Sequence, residues 1–297
     1  MPNSLPRVVR DIEGGVMRGI GLVLVAVFLT AAISFHPGRV SAQAQCPVKA
    51  PAGLVAPGTL SVGTAFGTPP QNFLVDNAPT GSDVEVMQAI AAQMCLKADF
   101  VNLAFAGLFP ALNAKKFDVV TAAVGITAQR QESLDFVPYF LGGLRLIAKT
   151  GGPRYQTEAD ACGHSIGALA GSVEDRDLAK YKETCPAGKP MDVKTYPSNN
   201  EVVEQLHKGT IQIAFLDWPL AAYTVQKSNG ELMEASPVLT GEPPGQPRHR
   251  EGITFRKGDA DLQKAVGQAF ANIQRDGTYD KILKKWNLTD GDIRKAG

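Results

Sequence analysis

The sequence lacks any strong excess of one charge. Its 297 residues contain 30 Lys and Arg against 29 Asp and Glu. Residues 1–44 hold four arginines and two acids, so the rest of the chain carries 26 positive and 27 negative side chains. With no basic patch and no charged tail, nucleic acid is not an expected partner. The residues that follow this segment suffice for one large domain or two smaller ones.

Metal-binding spacings are also missing. The chain has no C-x-x-C, and its histidines are not spaced as a ligand set, so we expect neither a metal nor a cofactor. All four cysteines follow the N-terminal segment, and an even count in an exported chain favours disulfides over free buried thiols. Of the three possible pairings we prefer Cys162–Cys185 and Cys46–Cys95, because these pairs fall in separate segments of the chain. Whether Cys46–Cys95 forms stays open at this stage.

The N-terminus has the features of a signal peptide. Three arginines flank the start of a short apolar run at residues 19–35, and Ala42-Gln43-Ala44 then provides an A-x-A cleavage site. We expect residues 1–44 to be removed by cleavage near Ala44, which predicts a periplasmic or secreted protein. The apolar run is at the short limit for a spanning helix, so its retention as an anchor stays open. Gln45 stands where a small residue would precede a lipidated cysteine, which argues against lipidation.

Short apolar runs alternate with helical patterns through the rest of the chain. Strands are predicted in TLSVGTAF, KADFVNLAF, FDVVTAAVGI, LRLIAK, IGALAG, IQIAFLD and ITFRK. Helices are predicted in TGSDVEVMQAIAAQM with Ser82 as its N-cap, in LFPALNAK with Pro110 in the first turn, and from Ser172 onward. Further helices are expected in SNNEVVEQLHKG, closed by Gly209, and in two segments at the C-terminus. This alternation predicts the α/β class with largely parallel sheets.

A G-x-S-x-G motif at residues 163–167 raises the possibility of a serine hydrolase. In such enzymes the serine lies between a strand and a helix. Here the residues before the motif are polar, and IGALAG, which follows Ser165, is itself the predicted strand. Ser165 would then lie at the start of a strand, away from the edge where α/β sites form. The order Ser165, Asp217, His249 still fits a triad, so the hydrolase is kept as an alternative.

Three long motifs occur in order between about residues 58 and 288. They are PTGSDVEVMQAIAAQM, KKFDVVTAAVGITAQRQESLDFVPYF and GDADLQKAVGQAFANIQRDGTYDKILKKW. Together they resemble the first helix, the central motif and the C-terminal signature of the extracytoplasmic solute-binding proteins of ABC importers, in their amino-acid-binding branch.

The resemblance implies two α/β lobes joined by two crossover segments, the type II periplasmic-binding-protein fold. The lobes would close on a ligand like a hinged clamp. By position, lobe 1 would comprise residues 45–140 and 252–297, and lobe 2 would comprise residues 141–251. The crossovers would lie near residues 141–143 and 250–252.

The resemblance also implies a ligand-binding set. Arg130, in ITAQR, aligns with the arginine that binds the ligand carboxylate, and a guanidinium matches a carboxylate bidentately. Asp217, in AFLDW, aligns with the aspartate that binds the α-ammonium, and it follows a buried strand. Ser172 begins a helix whose free N–H groups suit a carboxylate. Outside these motifs, Arg130 could equally be a solvated arginine at a helix start, and Asp217 and Ser172 could be helix caps.

The remaining aligned positions depart from the family. Ala123 and Gly125 offer only backbone contacts, and Thr68 stands where an aromatic ring usually covers the ligand. Phe105, with Phe66 and Trp218, could supply the apolar wall, although core packing is the usual role of such rings. Residue 65 is alanine where binders of cationic amino acids tend to carry an acid, which argues against Lys or Arg as the ligand.

The sequence therefore predicts a monomeric binding protein that delivers an amino acid or related small zwitterion to the membrane permease of an ABC importer. It would not be an enzyme. Besides the hydrolase, an enzyme on the same fold resembling cyclohexadienyl dehydratase stays open, in which Glu174 would act as an acid.

Overall fold

The computed structural model describes residues 46–240 and 248–296. The predicted signal peptide and its cleavage site lie outside the described residues. No helix in the described ranges is long and apolar enough to cross a membrane.

Twelve strands form within the described ranges. They are β1 (Thr59–Thr64), β2 (Phe73–Val75), β3 (Ala78–Thr80), β4 (Lys97–Asn102), β5 (Val119–Val120), β6 (Leu134–Leu141), β7 (Leu144–Lys149), β8 (Ser165–Leu169), β9 (Asp192–Tyr196), β10 (Ile213–Asp217), β11 (Leu232–Glu234) and β12 (Arg250–Arg256).

These strands build two five-stranded sheets and one hairpin. The first sheet has the order β4-β1-β5-β12-β6, the second has the order β11-β7-β10-β8-β9, and β2 pairs with β3. Parallel pairing joins β1 to β4 and β5, and joins β8 to β9 and β10. The other pairs within the two sheets are antiparallel. The expectation of largely parallel sheets is therefore wrong. Four strands are antiparallel to their neighbours, namely those on either side of each passage between the sheets: β6, β7, β11 and β12.

Eight helices cover the sheets in the described part of the chain. They are α1 (Ser82–Gln93), α2 (Phe105–Asn113), α3 (Ala128–Gln131), α4 (Val173–Tyr181), α5 (Asn199–Lys208), α6 (Trp218–Lys227), α7 (Ala260–Arg275) and α8 (Thr278–Lys285). The apolar face of α1, with Val84, Met87 and Ala91, is fully buried, as its helical spacing predicts. It packs with α7 and α8 in one core of the first sheet, whereas α2 belongs to a second core on that sheet. Two further cores surround the second sheet.

Two predicted helix starts are wrong. The N-cap of α1 is Gly81, and Ser82 is already inside the helix. Gly81 has φ +128°, and a Cβ there would lie 2.1 Å from the backbone oxygen of Gln71, so only glycine fits this close approach. Helix α2 begins at Phe105 after Ala104, which places Pro110 in the second turn. Ala104 has no capping side chain, so the sequence carried no signal for this start.

Both predicted disulfides are present. Cys46 bonds to Cys95, and Cys162 bonds to Cys185. The second bond ties the segment before β8 to the segment after α4, and both of its cysteines pack against a core of the second sheet.

The chain passes between the two sheets twice. Gly142 and Gly143 connect β6 of the first sheet to β7 of the second, and the segment from β11 returns to β12. The two passages are bonded to each other: the Gly142 N–H donates to the His249 carbonyl (2.9 Å), and Arg248 Nε donates to the Gly142 carbonyl (2.6 Å). Residues 250–252, where the sequence placed the second crossover, already belong to β12. The lobe boundaries themselves stay a prediction.

Candidate functional site

One pocket collects the seven ligand-binding positions implied by the sequence. Its volume is about 20 Å³, enough for about one water, so its walls lie close together, and they contain residues from both sheets. The predicted residues that line it are Thr68, Phe105, Ala123, Gly125, Arg130, Ser172 and Asp217. Most of them follow the carboxyl end of a strand, which is where α/β folds place their binding sites.

Arg130 is held in place from the first sheet. Thr127 caps α3 by accepting a hydrogen bond from the Arg130 backbone N–H (3.2 Å), which fixes the start of this short helix. The guanidinium donates to the Gly125 carbonyl (2.8 Å) and to the Gly171 carbonyl (3.2 Å), and the latter follows β8 of the second sheet. It also lies 5.5 Å from the Phe105 ring centroid and 5.1 Å from that of Phe109. Arg130 is therefore not the solvated arginine at a helix start that we considered as the alternative.

The charge state of Arg130 survives its burial. Only 7% of the residue is exposed, and this burial, with the nearby charge of Arg176, lowers its pKa to about 10. The side chain is therefore still a cation near neutral pH. A buried guanidinium that keeps unused donors is suited to an anionic group.

Asp217 lies at the end of β10 and supplies the opposite charge. Its side chain makes no capping hydrogen bond to α6, so the alternative role as a helix cap is not observed. Burial raises its pKa well above the usual value, and the neighbouring carboxyls of Glu174 and Glu251 raise it further. The positive charge of Arg130 offsets part of this rise in pKa, and a cation brought by a ligand would stabilise the ionised form of Asp217 further.

Ser172 and Glu174 form the start of α4. The Ser172 hydroxyl accepts a hydrogen bond from the Asp175 N–H (3.1 Å), so it is an N-cap as well as a wall residue. Glu174, in the first turn, lines the same pocket and is only 5% exposed. Desolvation raises the pKa of its carboxyl.

The loop after β5 is supported by a buried acid. Ala123 has φ +49°, and its N–H donates to Asp83 Oδ2 (3.4 Å). Tyr139 donates to the same oxygen (2.8 Å). Burial raises the pKa of Asp83 to about 6. This contact from α1 holds the Ala123–Gly125 backbone against the pocket.

Two of the three proposed aromatic wall residues lie elsewhere. Trp218 stacks on Phe140, with ring centroids 6.0 Å apart, and does not line the pocket. Phe66 lines an adjoining cavity instead. Phe105 alone among the three faces this pocket, because it begins α2 at the end of the β4 loop.

Sequence reasoning missed part of the wall. Asn199, Leu169, Val173 and Ala122 also line the pocket. Asn199 begins α5 directly after β9, and β9 was not predicted because its alternation is weak and it is partly exposed. Recognition of that strand would have placed Asn199 at the carboxyl edge of the second sheet.

The hydrolase triad does not assemble. Ser165 is the first residue of β8, and its hydroxyl contacts Gln212, which precedes the parallel strand β10. Asp217 is the last residue of β10, so about 16 Å of strand separates the two positions. His249 lies near Asp217, with 3.9 Å between Nε2 and Oδ1, and not near Ser165.

Asp217, His249 and Glu251 form the one group of metal-ligand side chains found in the described residues, with donor atoms within 4.8 Å of one another. Arg130 and Arg248 lie close enough to help burial lower the pKa of His249 to about 4. The positive charges of Arg130 and Arg248 would repel a metal ion, so we assign no ion to this group.

Comparison with known proteins agrees with the geometry. Residues 60–289 match the family model for bacterial extracellular solute-binding proteins, family 3. The L-cystine-binding protein TcyJ of Escherichia coli K12 is 31% identical over 232 residues, which cover 77% of this chain and 82% of TcyJ.

Solved structures share the fold. An ancestral arginine-binding protein bound to arginine superposes with a TM-score of 0.70 at 31% identity, covering 77% of this chain and 98% of the other. The ancestral amino acid-binding protein AncCDT-1, a precursor of cyclohexadienyl dehydratase, gives a TM-score of 0.67 at 25% identity, covering 77% and 95%. The two sheets with two passages between them are the type II periplasmic-binding-protein fold. The chain belongs to family 3 of the bacterial extracellular solute-binding proteins.

Proposed function

We propose that this protein binds an amino acid or a closely related zwitterion outside the cytoplasmic membrane and delivers it to the permease of an ABC importer. It would act as a monomer, in the periplasm or after secretion, once residues 1–44 are removed near Ala44. No bond would be made or broken; the ligand would be enclosed between two lobes, residues 45–140 with 252–297 and residues 141–251. The binding of cystine and arginine named for its relatives supports an amino-acid ligand.

The observation that carries the proposal is the pairing of Arg130 and Asp217 in one pocket. Arg130 is a buried cation, Asp217 is an acid whose side chain is 13% exposed, and they come from opposite sheets. Arg130 would bind the ligand carboxylate, aided by backbone groups at Ala123, Gly125 and Ser172, and Asp217 would accept from the ammonium. A zwitterion brings one charge of each sign, so it neutralises both residues at once.

Calorimetric titration of the purified protein with L-amino acids tests this assignment. We expect Arg130→Ala to weaken binding by about 30-fold to several thousand-fold, because a carboxylate would be buried without its partner. Arg154→Ala is the matched control: this arginine is exposed, and the partner of its guanidinium among residues 46–240 and 248–296 is the Glu234 carbonyl, at 3.1 Å. An unchanged affinity in Arg130→Ala would contradict the proposal.

A second candidate, an enzyme like cyclohexadienyl dehydratase, is favoured by one observation. Glu174 is a buried acid with a raised pKa in the pocket wall, and such a group can protonate a leaving group. Incubation with prephenate or arogenate separates the two functions: product formation that Glu174→Gln abolishes would support the enzyme, and unchanged substrate would support the binding protein.

A further inference from the structure

The pocket adjoins a second space, which we call the outer chamber. The outer chamber has a volume of about 210 Å³, and it also lies between segments of the two sheets. It shares five wall residues with the pocket, namely Ala65, Thr68, Phe105, Leu169 and Asn199. A ligand whose charged head lies between Arg130 and Asp217 would therefore have the outer chamber beside it, on the far side of these shared residues. The walls would have to move apart to admit the head, because the pocket has a volume of only about 20 Å³ in this conformation.

The outer chamber differs from the pocket in charge. Arg130, Glu174 and Asp217 line the pocket, whereas none of the described residues that line the outer chamber has an ionisable side chain. A charged ligand group placed there would lose hydration without gaining a charged partner, and this loss is costly.

The outer chamber still offers a few polar contacts. Asn199 Nδ2 donates to Thr68 Oγ1 (3.1 Å), and Asn102 Oδ1 accepts from the Phe66 N–H (3.1 Å). These bonds orient both amides and leave Asn199 Oδ1 and Asn102 Nδ2 for a ligand. Phe66 and Leu103 add apolar surface, and 37% of Leu103 is exposed to solvent. Apolar walls with two oriented amides suit a thioether, disulfide or amide group.

We propose that the ligand is an amino acid with a long side chain of no net charge, and that this side chain occupies the outer chamber. The proposal rests on the function proposed above and adds the class of side chain. It also explains the alanine at position 65, which is half-buried where the two spaces adjoin. An aspartate there would place a carboxylate beside the ligand side chain, whereas Ala65 places none.

Calorimetry with a panel of L-amino acids that share one head group tests the length and charge of the side chain. We expect methionine or glutamine to bind at least about tenfold more tightly than alanine, lysine and glutamate. If alanine binds as tightly as both long neutral amino acids, or if lysine or glutamate binds most tightly, the outer chamber does not hold a neutral side chain. If no amino acid binds, the proposed function itself fails.

A pair of variants tests the position of the side chain. Ala65→Asp adds a carboxylate at the junction, and Ala65→Asn adds nearly the same bulk without a charge. We expect Ala65→Asp to raise the ratio of lysine to methionine affinity at least about tenfold above the ratio in Ala65→Asn. Equal ratios in the two variants would show that the ligand side chain does not pass residue 65. Thermal unfolding of both variants checks that they fold, and the wild-type panel stands independently of them.

Discussion

At the scale of single residues, Asp217 would couple ligand binding to protons if it binds the ligand ammonium as proposed. Burial and the carboxyls of Glu174 and Glu251 raise its pKa. A bound ammonium would favour the ionised form, so binding below the raised pKa would release a proton. Affinity should therefore increase as the pH rises, and it should level off above that pKa.

Calorimetry between pH 5.5 and 8 in two buffers of different ionisation enthalpy measures this proton release. Asp217→Asn should bind more weakly and lose the pH dependence. If affinity depends on pH in the same way in Asp217→Asn, the released proton comes from another group. The Glu174→Gln variant would then show whether that group is Glu174. An affinity that falls as the pH rises would contradict an ammonium at Asp217.

The sequence predicts pocket residues that align with family motifs better than those outside the motifs. Arg130 and Asp217 were predicted because each occurs in a family motif and, for Asp217, after a buried strand. Asn199 and Leu169 carry no such signal, because an amide or an apolar residue at the end of a strand is common in any α/β protein. The role of Arg130 in joining the Gly125 and Gly171 carbonyls depends on long-range geometry that no local pattern encodes.

At the scale of elements, the Cys162–Cys185 bond closes the segment that contains β8 and α4. Its partners are separated by 23 residues, and cross-linking a loop of that length should stabilise the fold by about 3 kcal/mol. We expect the double variant Cys162→Ser, Cys185→Ser to lose about this much free energy of unfolding and therefore to unfold at a lower urea concentration. The Cys46–Cys95 bond, left intact, keeps the comparison to one loop.

The measurement is equilibrium urea unfolding of the non-reduced protein. Because Ser172 and Glu174 belong to the enclosed segment, ligand affinity should also fall if the loop loosens. An unchanged midpoint in the double variant would mean that the bond adds nothing to this fold.

Element prediction succeeded where periodicity and caps coincide. The β8–α4 unit and helix α5, with its Ser198 N-cap and Gly209 at a left-handed φ of +76°, follow the sequence signals closely. The strands β2, β3, β9 and β11 were not predicted, since they have three to five residues and stand partly exposed. Strand β6 was not predicted either, although it has eight residues, because Pro138 within it argues against a strand. Edge strands of this kind take their conformation from the neighbouring strand more than from their own composition.

At the scale of the whole molecule, the two passages between the sheets pack against each other at Gly142. A Cβ at this position would lie 2.3 Å from His249 Nε2 and 3.0 Å from Glu251 Oε1. We expect Gly142→Ala to separate the passages, lower the melting temperature and weaken ligand binding about tenfold, because the two sheets could no longer approach in the same way.

Thermal unfolding, calorimetry and small-angle scattering with and without ligand measure these effects. Gly107→Ala is the matched control: Gly107 lies in α2, its Cβ would meet nothing within 4 Å, and alanine there should stabilise the helix slightly. If Gly142→Ala behaves like Gly107→Ala, the contact between the passages does not govern closure.

The bond from Arg130 to the Gly171 carbonyl bears on traffic at the importer. One side chain therefore spans both halves, and its hydrogen bond adds to the free energy of the shut conformation. If the proposed function holds, copies without solute would adopt that conformation part of the time and occupy the permease without cargo. Uptake should consequently slow when the protein greatly outnumbers its solute.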